Sequence, residues 1–85
     1  MQKIPQDIFI GKNLRRLRKL NNYSQENIAL KLQLKGRSMS VSHYGHIEQG
    51  GKNIFVSDLI LLSEIFKADF NEFFKDLKPS DNKLE

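Results

Sequence analysis

The sequence predicts an all-α domain of five short helices, and three observations carry that prediction. Apolar residues recur at spacings of three and four along most of the chain. Serines stand just ahead of the apolar runs at residues 24, 40 and 57, where a helix N-cap is needed. No segment alternates polar and apolar residues as a half-buried strand would.

Taken in order, residues 1–7 form an N-terminal arm. The first helix follows, with Ile10, Leu14, Leu17 and Leu20 on one face and Lys12, Arg15, Arg16 and Lys19 mostly on the other. Asn21 and Asn22 stop it, because asparagine caps and turns readily. Ser24 caps a second helix over residues 24–32 whose buried stripe is Ile28, Ala29 and Leu32. Residues 33–38 make a polar turn with Gly36, Lys35 and Arg37, and Met39 anchors it in the core. Ser40 caps a third helix that turns Tyr44 and Ile47 inward and leaves Val41, Ser42, Gly45, His46 and Gln49 outward, until Gly50 and Gly51 end it. Ser57 caps a fourth helix carrying Leu59, Leu61, Leu62, Ile65 and Phe66. Asp69 or Asn71 opens a fifth with Phe70, Phe73, Phe74 and Leu77. The domain therefore spans residues 8–77, and the polar residues 78–85 form a tail expected to be disordered.

Eighty-five residues allow one modest core. With no cysteine there is neither a disulfide scaffold nor a thiolate zinc site, which suits a reducing compartment. Residues 1–7 lack the apolar run of a signal peptide and nothing approaches membrane-spanning length, so a cytoplasmic protein is expected. The net charge of +4 is unevenly spread: residues 1–52 carry +7 and residues 53–85 carry −3. A basic half suits a polyanion, although a solvated helix face would give the same count. Two short helices joined by a turn, with the N-terminal part of the second exposed, decide for DNA, since that is how side chains enter a major groove.

Leu14-x-x-Leu17-Arg18, Tyr23-Ser24-Gln25, Ala29, Met39-Ser40, Ile47-Glu48-x-Gly50 and Leu59-x-x-Leu62-Ser63-x-Ile65-Phe66 together resemble the lambda-repressor/Cro-like (Xre-type) helix-turn-helix domains over roughly residues 8–74. The resemblance implies a five-helix DNA-binding domain in which the third helix enters the major groove. It implies base or groove contacts from Ser40, Val41, Ser42 and His46, and a backbone contact from Gln25, whose helix N-terminus also suits a phosphate. By the same resemblance Lys52 and Asn53 either hold the next phosphate or belong to a solvated loop, and Lys12, Arg15 and Arg16 are expected to help position the protein. Arg18 and Glu48 match a structural ion pair between the first and third helices rather than a DNA contact. Two departures stand out: a turn before the third helix roughly five residues longer than the compact family turn, and Gly45 in mid-helix. Lys35 and Arg37 in that turn are candidates for added phosphate contacts.

The expected function is sequence-specific binding of double-stranded operator DNA by a small transcriptional repressor, acting as a homodimer on a palindromic site. The exposed part of the C-terminal phenylalanines, together with Ile60, supplies the dimer seam. An antitoxin that binds a toxin protein, or the N-terminal DNA-binding domain of a longer regulator, is the alternative. No enzyme, cofactor or metal is expected: His43 and His46 are three residues apart, but no cysteine or other histidine completes a site.

Overall fold

The computed structural model describes residues 10–51 and 53–77 and the backbone of residues 3–4. Residues 78–85, most of the N-terminal arm and Lys52 lie outside the described residues. Four α-helices follow one another: α1 (Gly11–Leu20), α2 (Gln25–Leu34), α3 (Val41–Glu48) and α4 (Val56–Phe66), after which a 3-10 helix covers Phe70–Phe74. The fifth helix expected from sequence is thus a single 3-10 element. Its three-residue repeat puts Phe73 over Phe70, with ring centroids 6.0 Å apart. The amide of Asn13 on α1 donates to the Phe73 and Lys75 carbonyls at 2.9 and 3.0 Å, so these end-of-helix acceptors are satisfied from outside. A two-residue strand pairing, not foreseen in the sequence, joins β1 (Lys3–Ile4) antiparallel to β2 (Ile54–Phe55), with Lys3 opposite Phe55 and Ile4 opposite Ile54.

All four helices stop in the same way. Tyr23, Arg37, Gly51 and Ala68 each donate a backbone N–H to the carbonyl five residues back, on Arg18, Leu32, His46 and Ser63. Within each turn a shorter bond nests, as in Asn22 to Lys19 and Gly36 to Gln33. The residue between the two bonds must take a positive φ, and Gly36 (92°) and Gly50 (83°) do so without steric cost. Asn22 (59°) and Lys67 (54°) do it with a side chain. The starts are equally local. Ser24 Oγ accepts from the Asn27 N–H while Asn27 Oδ1 accepts from the Ser24 N–H, and Ser40 Oγ accepts from the His43 N–H. At α4 the N-cap residue is Phe55 rather than Ser57: Asp58 Oδ2 reaches back to accept from the Phe55 N–H at 3.2 Å, and the helix begins two residues earlier than a Ser57 cap implies.

Leu14, Leu17, Ile28, Leu32, Met39, Tyr44, Ile47, Ile54, Leu59, Leu62, Ile65, Phe66 and Phe73 form one continuous core. Against it α2 packs on α3 and α4, and α1 packs on α3 and on the 3-10 helix. Leu20, assigned to the inward face by its spacing, is exposed because α1 runs past the core in its last turn.

The segment before α3 is neither a free loop nor a basic finger. Gln33 and Leu34 remain in α2, which shortens the connection to the six residues between α2 and α3. Arg37 Nε donates to Asp58 Oδ1 at 2.7 Å, with the guanidinium 5.6 Å from the Phe55 ring centre, and Lys35 Nζ meets Glu64 Oε1 at 3.1 Å. Both cations that were candidates for phosphate contacts instead bind the turn to α4. Gln33 donates to the Met39 carbonyl at 3.0 Å and closes the same turn.

Asp58 holds both Arg37 and the start of α4 with a side chain only 1% exposed. Its replacement by alanine is expected to cost about 2–4 kcal/mol, the combined loss of a cap and a largely buried charge partner. Urea unfolding with an unchanged m-value measures it.

Candidate nucleic-acid interface

α3 is held from behind and open in front. On its inner side Tyr44, Ile47 and Glu48 are buried; on its outer side Val41, Ser42, His46 and Gln49 are exposed. The hold is polar as well as apolar. Arg18 of α1 makes a two-pronged contact with the Glu48 carboxylate, Nε to Oε2 at 2.7 Å and Nη2 to Oε1 at 3.2 Å, and its Nη1 donates to the Tyr23 carbonyl at 3.1 Å. Gln25 of α2 adds Nε2 to Glu48 Oε1 at 3.1 Å. The side chains of Arg18 and Glu48 are 12% and 4% exposed, so water contributes little to either charge. Burial alone would push the Glu48 carboxyl upward, but the donors from Arg18 and Gln25 outweigh it and hold the group below the ordinary glutamate range. The same bond raises the Arg18 guanidinium. Tyr44 is fully buried, with its hydroxyl beside the Glu48 carboxylate. Burial first, then the nearby Glu48 charge, drives the phenol far above its usual range, so it stays protonated.

Among the residues expected to read bases, Val41, Ser42 and His46 lie on the exposed face of α3. Ser40 is exposed too, with its hydroxyl engaged as the helix cap. Of those expected at phosphates, Lys12, Arg15 and Asn53 are exposed. Arg16 is not a free cation: its Nη2 meets Glu72 Oε1 at 3.0 Å and the Glu72 carbonyl at 3.2 Å, which joins α1 to the 3-10 helix. Gln25 directs its amide to Glu48 within the protein, and at the same helix start the Asn27 N–H is taken by Ser24 while the Glu26 side chain is exposed. Gly45, assigned to the outer face, is buried under Gln25. Sequence reasoning missed Asn13 and the Arg37–Asp58 pair. A lone polar residue on an otherwise apolar helix face was the available signal for Asn13; the pair left none, because its partners are 21 residues apart. Among the described residues no three His, Cys, Asp or Glu side chains group as a metal site would, and no helix is long and apolar enough to cross a membrane.

Two helices joined by a short turn, α2 and α3, the second open to solvent on one side and tied to the preceding α1 by a buried ion pair, define a helix-turn-helix DNA-binding domain. The helix-turn-helix family model matches residues 14–73, and the chain belongs to that Xre/lambda-repressor-like family, whose members bind DNA in transcription regulation. Among solved structures the chain is similar to the restriction-modification controller protein C.AhdI from Aeromonas hydrophila, with a TM-score of 0.67 and 25% identity over 79% of this chain and 94% of that one. No curated protein matches.

Because the folded Glu48 carboxyl is held low, it binds its proton less readily than in the unfolded chain. Its stabilising contribution is therefore complete above about pH 4.3, the unfolded value. It is lost as the pH falls through the lower folded value. Glu48→Gln is expected to cost about 3–5 kcal/mol at neutral pH, by leaving Arg18 without its charge partner. It should also flatten the acid limb of a stability-against-pH curve, which thermal unfolding between pH 3 and 7 reads directly.

Proposed function

We propose that this chain is a cytoplasmic transcriptional repressor that binds a palindromic operator as a homodimer, with α3 in the major groove of each half-site. The observation that carries the reading is the division of α3 into a locked inner side and an exposed outer side made of Val41, Ser42 and His46. Val41 suits a thymine methyl, and His46 can donate to guanine or accept from adenine or cytosine. Ser42 does either, while Ser40 stays at the groove edge as a cap. Lys12, Arg15, Lys52, Asn53 and the backbone N–H groups at the start of α2 contact phosphates and set the register. Arg16 joins them only by releasing Glu72.

Dimerisation is supported by Ile60 on α4 and by Phe70 and Phe74 on the 3-10 helix, all about half exposed although the core lies directly beneath them. Two copies of α3 then sit about 34 Å apart, one turn of B-DNA. The likeness to a restriction-modification controller favours a second, narrower reading, in which the regulated genes belong to such a system.

Selection of bound duplexes from a random pool at fixed low salt tests the proposal. The expected outcome is an enriched inverted repeat with half-sites one turn apart. Binding without a motif, or stoichiometric capture of a partner protein without DNA binding, would overturn it. On the selected operator, His46→Ala should lose about 1–3 kcal/mol of discrimination at one base position. Arg15→Ala should weaken all sequences alike and reduce the salt slope by about one.

A further inference from the structure

Gly45 occupies the middle of a helix in which alanine would be the better helix former. A turn does not require the glycine there, and it does not open onto solvent. What it faces is the end of one side chain. A Cβ at this position would lie 3.1 Å from Gln25 Oε1, 3.7 Å from Cδ and 3.8 Å from Nε2. The amide plane of Gln25 therefore rests on α3 where a side chain would otherwise be, and from that rest it reaches Glu48 Oε1 at 3.1 Å. The Glu48 carboxylate already takes Arg18 of α1 on both oxygens, so with Gln25 it joins α1, α2 and α3 at one group.

We infer that Gly45 is the seat of Gln25, and that Gln25 is a positioning residue which sets the rotation of α3 about its axis and thereby the affinity for DNA. The inference rests on the reading of α3 as the recognition helix. A Cβ at 3.1 Å is tighter than ordinary contact, and the atom it meets is the far end of a flexible side chain. Alanine at position 45 thus displaces Gln25 without breaking the helix. Arg18 still holds Glu48 and α2 still packs on α3, so the fold survives, but α3 loses this directional hydrogen bond to α2. DNA affinity then falls while stability changes little, a combination that general damage to the fold does not produce.

The test uses the full chain in four forms: wild type, Gly45→Ala, Gln25→Ala and the double variant. Thermal melting, the titration of the Glu48 side-chain carboxyl followed by carbon-13 NMR without DNA, and Kd for the selected operator are measured on each. Gly45→Ala is expected to melt close to the wild-type temperature, the better helix propensity of alanine offsetting much of the lost Gln25–Glu48 bond, and to bind about tenfold more weakly. In both single variants Glu48 should titrate at higher pH than in the wild type. In the Gln25→Ala background, Gly45→Ala should change Kd no further.

Additive losses in Kd, or a Gly45→Ala protein with wild-type titration and affinity, overturn the inference. If Gly45→Ala does not fold, Gln25→Ala decides alone: unchanged titration and Kd overturn it, and a shift in both supports it. A wild-type chain that binds no DNA defeats the functional reading instead, and the NMR comparison still reports whether Gly45 seats Gln25.

Discussion

The carboxylate of Glu48 belongs to α3 and takes its hydrogen bonds from α1 and α2. Hydrocarbon packing among Leu14, Leu17, Ile28, Leu32, Tyr44 and Ile47 would hold these three helices together without it, but dispersion and burial have little directional preference. A two-pronged guanidinium–carboxylate contact does have one. On the proposed reading of α3 as the recognition helix, the angle at which it leaves the body matters more than the energy that keeps it there, because its outer residues would have to meet base edges at hydrogen-bond distance. The desolvation cost of burying two charges is offset only when their geometry is good, and here a third donor completes the carboxylate's shell.

The rest of the molecule repeats this use of charge at a smaller scale. The basic N-terminal half and the acidic C-terminal half are not kept apart: Asp58, Glu64 and Glu72 each take a cation from the other half, from Arg37, Lys35 and Arg16. Those contacts draw the turn and α1 against α4 and the 3-10 helix. The Lys35 and Arg16 pairs are well exposed and contribute little to stability. Their effect is on charge distribution. Cations bound to internal carboxylates are withdrawn from DNA, and Lys12, Arg15 and Lys19 are left on the exposed surface of α1.

What could be read from the sequence was what neighbours in the chain decide. Ser24 and Ser40 cap their helices because a cap needs only its own residue and the N–H three further on. Gly50 ends α3 because a positive φ is a property of one residue. The pairing of Arg18 with Glu48 was available only through resemblance, since the two are 30 residues apart. The Arg37–Asp58 contact had neither route: Arg37 lies in a departure from the family pattern, and Asp58 looked like any acidic first-turn residue. The outward assignment of Gly45 failed for a related reason. Helical periodicity gives the direction in which a residue faces, but it does not say that a glutamine from another helix already fills that space. The fifth helix came out as a single 3-10 element, and the Asn13 amide that meets its Phe73 carbonyl comes from 60 residues away, beyond the reach of local pattern.

The four matching helix ends bear on how this chain acquires its shape. Each stop is written in a six-residue loop of backbone hydrogen bonds, and the starts at Ser24 and Ser40 in four-residue ones, so none of these boundaries waits for a distant segment. Closing such short loops takes on the order of tens of nanoseconds, and local contact patterns of this kind belong to chains that fold in microseconds to milliseconds. The boundaries of the helices are thus local properties of the chain, whereas the angle between the helices rests on contacts between distant residues, those of Glu48 and Asp58 among them.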